Sequence, residues 1–143
     1  MRWTLRPTRA GARVERASES AREYNQRLFS LAARLGECDI VVTRLHVDWF
    51  AFGGWELWLE SGPQRDRYKA TKHKGSLYPV PAPDVLRFSW DGREGFLDVA
   101  TSPTHRYEQP QEWSREPSRH FSDLDEALRF VEERAIHQLV GEA

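Results

Sequence analysis

Hydrophobic residues recur at helical spacing in two stretches, one towards each end of the chain. In the first stretch the spacings are four, three, one and three positions, which is the pattern of one helical face: Tyr24, Leu28, Leu31, Ala32 and Leu35. The preceding segment Ser20-Ala21-Arg22-Glu23 has the form of a capping box, and Gly36 suits a left-handed helix cap. This pattern predicts a helix over 20–35.

The second helical stretch has a single apolar stripe: Leu124, Ala127, Leu128, Val131, Ala135 and Leu139. Ser122 is the predicted N-cap residue, because its hydroxyl oxygen can accept from a free amide of the first turn. Asp123, Asp125 and Glu126 follow, and the positive end of the helix dipole favours carboxylates there. We expect a C-terminal helix that starts after Ser122.

Between these helices the hydrophobic period changes to two, which is typical of half-buried strands. The first two alternating runs have these apolar members: Leu45, Val47, Trp49, Trp55, Leu57 and Leu59. A three-residue loop at 52–54 keeps these side chains on one side, whereas a two-residue loop would mix the faces. With that loop Trp49 lies opposite Leu57, and Val47 lies opposite Leu59. We expect this register.

A second hairpin is predicted around Asp91-Gly92, a dipeptide that favours tight turns. A loop of two or four residues there places Leu97 opposite Leu86. In the same register Val99 lies opposite Asp84. The hairpin then collects five apolar residues on one face: Leu86, Phe88, Trp90, Leu97 and Val99.

Two polar segments lack a clear period. Residues 61–83 are rich in Pro, Gly and Lys; within them 67–71 could add a short strand, and 78–83 resembles an extended polyproline connector. Residues 102–120 form a long polar stretch that contains Trp113. Loops of that length are uncommon in compact domains. Trp113 either pins the loop to the body of the domain or is presented to a partner.

The order of elements is therefore helix, hairpin, connector, hairpin, helix. It predicts an α+β fold, with an antiparallel sheet of two β-hairpins (four to five strands) and both the N-terminal and the C-terminal helix packed on one face. Residues 1–17 are interpreted as a basic N-terminal arm and residues 18–143 as a single domain.

Composition narrows the class of protein. The chain has 143 residues, of which 39% are hydrophobic and 12% aromatic, with six Trp, as expected for one globular domain. Its apolar runs are too short to cross a membrane, which needs about 20 residues. A single cysteine, Cys38, excludes an internal disulfide and a cysteine-rich zinc site. We expect a cytoplasmic protein without a cofactor.

Charge is unevenly distributed although the net charge is only −1. The densest basic cluster lies within ten residues: Arg65, Arg67, Lys69, Lys72 and Lys74. In an extended conformation Arg65, Arg67 and Lys69 would share one side, where they could contact a polyanion or an acidic partner. The alternative is a solvated loop. Because the pI is about 6.5, we do not expect nucleic acid to be the partner.

The polar side of the first hairpin carries the candidate functional residues: Arg44, His46, Asp48, Phe50, Glu56, Trp58 and Glu60. The expected register puts His46 opposite Glu60 and Asp48 opposite Trp58. Two interpretations follow. Aromatic residues rimmed by charge are typical of a protein-binding surface. A histidine beside carboxylates could instead support a small metal-dependent or acid–base enzyme on the His46/Asp48/Glu60 face.

Three segments carry a resemblance to a known class of proteins. They are Phe52-Gly53-Gly54-Trp55, Trp90-Asp91-Gly92-Arg93 and the closing helix Phe121-Ser122-Asp123-Leu124-Asp125-Glu126-Ala127-Leu128. In these features the chain resembles small bacterial immunity proteins of polymorphic toxin systems. The resemblance implies a single cytoplasmic domain that binds and neutralises one toxin, and it implies no catalytic residue. A non-enzymatic protein-binding domain is therefore the leading hypothesis.

Overall fold

The computed structural model describes residues 9–48, 53–73, 75, 82–103 and 112–141. The strands of this part of the chain form one antiparallel sheet, and the fold class is α+β, as predicted. In chain order the elements are α1 (Arg9–Glu37), β1 (Ile40–Asp48), β2 (Gly54–Ser61), α2 (Gly62–His73), β3 (Val85–Trp90), β4 (Phe96–Ser102), β5 (Ser114–Arg115), β6 (Arg119–His120), α3 (Leu124–Ala135) and a terminal π-helix (Ile136–Val140).

The sheet has the order β1-β2-β3-β4, and both β5 and β6 pair with the outer side of β4. Alternation gives it one apolar face, on which the central side chains are buried: Trp55, Leu57, Leu59, Leu86, Phe88, Trp90, Leu97 and Val99. Trp55 and Trp90 stack there as cross-strand neighbours, 6.4 Å between ring centroids. The terminal π-helix contacts β1 and β2.

The β1–β2 hairpin has the predicted faces but a different register. Leu45 lies opposite Leu57 and Val47 opposite Trp55, so the predicted pairing of Val47 with Leu59 is wrong by four positions. The connection covers residues 49–53 instead of 52–54. Because the error is an even number, each described apolar side chain keeps its side of the sheet. Trp49, the predicted partner of Leu57, lies outside the described residues. A bulge between Val42 and Arg44 then shifts the remainder of β1.

The register of the β3–β4 hairpin also differs from the predicted one by four positions. Trp90 lies opposite Leu97, whereas the expected partner of Leu97 was Leu86. The turn is longer than Asp91-Gly92 alone, because Asp91 accepts from the amides of Arg93 and Glu94 through its side chain. The five predicted apolar residues nevertheless share one buried face.

Helix α1 begins at Arg9, eleven positions before the predicted start. Ser20 therefore lies inside the helix rather than at its start, and residues 9–17 belong to the same helix. Gly36 is helical too; the left-handed residue is Asp39, at φ 60°. The chain divides into two compact units, Met1–Arg34 and Leu35–Ala143. The predicted boundary between an arm and a domain after residue 17 stays a prediction.

Residues 62–73 form helix α2, where the sequence suggested a short strand or a solvated loop. The hydroxyl of Ser61 accepts from the amide of Gln64, three positions on, and so caps the helix start. Helical spacing separates Arg65 and Lys69 from Arg67, so the extended row of three cations, one of the two alternatives, does not form. Lys74 and residues 76–81, most of the polyproline-like segment, lie outside the described residues.

Part of the predicted 102–120 loop forms a sheet edge. Ser114 pairs with Thr101 and His120 with Phe96, and between β5 and β6 the residues 116–118 form a bulge. Pro117, which has no amide hydrogen, occupies this bulge, a position that edge strands tolerate.

Helix α3 begins one residue later than predicted. Its N-cap is Asp123, whose side chain accepts from the amide of Glu126, while the carboxylate of Glu126 accepts from the amide and hydroxyl of Ser122. Ser122 therefore supports the cap rather than forming it. The predicted stripe is buried at four positions: Ala127, Leu128, Val131 and Ala135.

Candidate functional site

The second face of the sheet, opposite the apolar one, is called the open face here. Cross-strand register assigns to it charged and aromatic residues of five strands: Arg44, His46, Glu56, Trp58, Glu60, Arg87, Asp98 and Arg115. They share this face because each strand alternates, and the even register errors left their sides unchanged. The open face is therefore mixed in charge and contains a central tryptophan.

Two arginines and two tryptophans form a row across the open face, and we call it the Arg–Trp ladder: Arg44, Trp58, Trp113 and Arg87. The guanidinium carbon of Arg44 lies 5.2 Å from the centroid of the Trp58 ring. Trp58 meets Trp113 edge to face at 5.4 Å, and Arg87 lies 4.0 Å above the Trp113 ring. These contacts are cation–π and aromatic pairs, which attract beyond the area they bury.

Glu56 fixes the position of the central ring. Its carboxylate accepts the indole N–H of Trp58, which lies two positions on along β2. Burial lowers the pKa of the Arg87 guanidinium, and the same carboxylate partly opposes this effect. Arg87 stays charged at neutral pH, as arginines in proteins do. The ladder is thus held by a carboxylate as well as by stacking.

A groove of about 580 Å³ lies at the β1 end of the ladder, bounded by these residues: Thr43, Arg44, Leu45, His46, Trp58, Glu60, Arg65 and Val85. The β1 bulge lies on this side, and the hydroxyl of Thr43 donates to the carbonyl oxygen of Trp58. Glu60 is only 6% exposed and forms an ion pair with Arg65 of α2. The groove therefore contains one carboxylate, Glu60, which Arg65 neutralises, and a further arginine, Arg44.

The register on which the acid–base grouping was predicted is wrong. His46 lies opposite Glu56, not Glu60, and the bulge places Glu60 opposite Val41. Asp48 lies opposite Gly54 rather than Trp58. In the described part of the chain, no group of three His, Cys, Asp or Glu side chains could hold a metal ion. Phe50 lies outside the described residues.

Three members of the site were not among the predicted site residues. The sequence places Trp113 in a polar segment, and its ring contacts that of Trp58 on the sheet, which favours the first of its two interpretations. Nothing in the sequence indicated that Arg87 belongs to the site, apart from its polar position in a strand. Arg65 was noted only as part of a basic cluster, and its pairing with Glu60 depends on α2 being a helix.

Comparisons with protein-family models, with curated proteins and with solved structures found no match for this chain. Among the helices of the described residues, none has the length and apolar character needed to cross a membrane.

Proposed function

We propose that this protein is a non-enzymatic protein-binding domain and that the open face, centred on the Arg–Trp ladder, is its interface. The observation that carries the proposal is the ladder itself. Two tryptophans and two arginines lie in contact on the sheet face opposite the hydrophobic core. Trp and Arg are the side chains most enriched among residues that dominate binding energy.

The ladder is also preorganised. Arg44, Trp58 and Arg87 are fixed by strands, and Glu56 orients the Trp58 indole through a hydrogen bond. Side chains that are already ordered lose less conformational entropy on binding. The surrounding residues His46, Asp98 and Arg115 supply charge of both signs, the composition of an interface rim.

For the partner, we propose a bacterial toxin domain that the protein neutralises in the cytoplasm. Support comes from the resemblance of its hairpin and closing-helix segments to small immunity proteins. In that role the ladder supplies the central anchors, and occlusion of the toxin requires no chemistry from this chain. The proposal accordingly includes no catalytic residue.

The interface is tested by site-specific photocrosslinking in the native cell. A benzoylphenylalanine replaces His46, an exposed residue beside the ladder, and in a matched control it replaces Arg129, an exposed residue of α3. We expect one protein to crosslink at position 46 and not at position 129. That protein is then produced alone, and cell growth is compared with and without the present chain.

The purified partner also gives a quantitative test. Trp58→Ala is expected to weaken binding by about 2 kcal/mol or more, as for a central anchor. Phe29→Ala removes an exposed aromatic residue of α1, outside the sheet, and is expected to leave binding unchanged. Equal affinity of Trp58→Ala and wild type contradicts the proposed interface. A partner without toxicity contradicts the immunity role and leaves the binding role intact.

A further inference from the structure

The groove beside the ladder has a positive charge that its own residues do not neutralise. Its carboxylate, Glu60, is buried and already paired with Arg65. The remaining charged lining residue is Arg44, and His46 adds a further nitrogen donor. Within the part of the chain that the structure describes, no carboxylate forms an ion pair with Arg44.

Arg44 is positioned to bind an anion. Its guanidinium lies over the Trp58 ring, and that ring is held in turn by Glu56 and Trp113. An arginine on an aromatic face still has N–H groups at its edge, and these match the two oxygens of a carboxylate. The ladder thus presents this guanidinium in one defined place at the groove.

We infer that the groove is a binding site for an acidic side chain, aspartate or glutamate, in a segment of the protein partner. The inference rests on the proposed binding function and names the chemistry that the β1 end of the open face recognises. The carboxylate would be bound by Arg44, with His46 beside it. Trp58 would contact the aliphatic part of the same segment.

Charge on the same face favours a peptide carboxylate over nucleic acid. Glu56 and Asp98 lie on the open face with Arg44 and Arg87, and the whole chain has a net charge of −1. A polyphosphate that followed the arginines would meet these carboxylates, and nucleic-acid sites are usually strongly basic. A segment with one acidic residue places a single negative charge at Arg44 and need not extend towards Asp98.

The test uses the full chain labelled with ¹⁵N and two synthetic pentapeptides, acetyl-Ala-Ala-Glu-Ala-Ala-amide and its Gln counterpart. Binding is followed by NMR through the Trp58 indole N–H and the Arg44 Nε–H. We expect the Glu peptide to shift both signals and to bind about tenfold more tightly than the Gln peptide, the effect of one charge-assisted hydrogen bond. Raising the salt concentration should weaken the Glu peptide's binding, because salt screens exposed charges.

Variants locate the site. Arg44→Gln should reduce affinity for the Glu peptide about tenfold and make it equal to that for the Gln peptide. Arg44→Lys should fall between, because lysine keeps the charge but lacks the planar fork. Arg129→Gln, an exposed arginine of α3, should leave the titration unchanged. Arg44 is itself exposed, and unchanged β-sheet amide shifts would verify that its variants are folded.

Several results would overturn the inference. These are equal binding of the two peptides, equal effects of Arg44→Gln and Arg129→Gln, or tighter binding of an oligothymidine than of the Glu peptide. Self-association that displaces the peptide would identify a second copy of this chain as the occupant instead. If a crosslinked partner needs Trp58 but not Arg44, the acidic-residue inference fails and the proposed function stands.

Discussion

Asp39 is the non-glycine residue with a positive φ in the described part of the chain, and it closes the junction between α1 and β1. Its carbonyl oxygen accepts from the amide of Gly62 at 2.8 Å. A Cβ atom on Gly62 would lie 2.6 Å from that oxygen, whereas a Cβ on Gly36 would meet nothing within 4 Å. The two glycines therefore differ in function: Gly62 permits a close backbone contact, and Gly36 only lowers helix propensity.

Alanine at these two positions should change stability in opposite directions. Gly36→Ala should raise the free energy of unfolding by about 0.5 kcal/mol, because alanine costs less backbone entropy in a helix. Gly62→Ala should lower it by about 1–3 kcal/mol, because the added methyl group forces backbone atoms apart. Urea denaturation of both variants measures the two effects. A higher free energy of unfolding for Gly62→Ala than for the wild type would contradict the close contact.

Gly95 combines a left-handed conformation with a close approach. Its φ is 76°, and a Cβ atom there would lie 2.7 Å from the carbonyl oxygen of Phe121. Phe121 in turn donates its amide to the carbonyl oxygen of Gly95. This contact joins the start of β4 to the residues that follow β6, so its loss should affect the sheet edge.

Gly75 supplies the matched control, because it has φ 64° in open space. Gly75→Ala should cost about 1 kcal/mol, the conformational cost alone. Gly95→Ala should cost more, about 2–4 kcal/mol, since the steric overlap adds to that cost. Thermal unfolding compares the two variants. Equal losses in both would mean that the Gly95–Phe121 contact relaxes freely.

At the scale of elements, polar contacts join the C-terminal helices to the sheet edge. Arg134 of α3 donates to both carboxylate oxygens of Glu116, which lies in the bulge between β5 and β6. Gln138 of the π-helix donates to Thr101 of β4. The edge strand is short and interrupted, so these contacts compensate for the ladder hydrogen bonds that the bulge removes.

The Arg134–Glu116 pair should contribute a measurable coupling energy. A double-mutant cycle with Glu116→Gln and Arg134→Gln should give about 0.5–1 kcal/mol, the usual range for a bidentate but partly exposed pair. The coupling should shrink in 1 M NaCl, because salt screens exposed charges. Chemical denaturation of the four proteins measures it. A coupling near zero at low salt would mean that the pair is not maintained in solution.

At the scale of the whole molecule, the Arg–Trp ladder joins segments that are far apart in sequence. Trp58 in β2 and Trp113 before β5 are 55 positions apart, and Arg44 and Arg87 come from two further strands. Trp113 therefore joins the start of β5 to the centre of the open face. Because it is only half-buried, its contribution should be local rather than decisive for folding.

Trp113→Ala should release this segment while the sheet stays folded. We expect faster amide hydrogen exchange at Ser114 and Arg115, with little change at Arg119 and His120, which the Gly95–Phe121 contact supports. The global stability should fall by about 1–2 kcal/mol, as expected for the loss of partly buried aromatic contacts. Exchange that accelerates equally in β5 and β6 would show that the edge unfolds as one unit.

Features that depend on neighbouring residues could be predicted from the sequence, whereas contacts between distant segments could not. The side of the sheet on which an apolar residue lies follows from alternation, a property of neighbouring residues, and it was predicted correctly for the described residues of both hairpins. Register was wrong in both, because it depends on turn hydrogen bonds such as those of Asp91. Helix α2 was missed because it is polar and lacks an apolar stripe.

The candidate site divides in the same way. Arg44, His46, Glu56 and Trp58 were assigned to the open face from the period of two alone. The sequence by itself thus determined the α+β class, the two helical faces and the polarity of the sheet, because these depend on local periodicity. Only the tertiary structure decided which charges meet: it placed His46 opposite Glu56, paired Glu60 with Arg65 and brought Trp113 onto Trp58. Those contacts depend on how separate segments pack, and a local pattern of residues does not predict which segments meet.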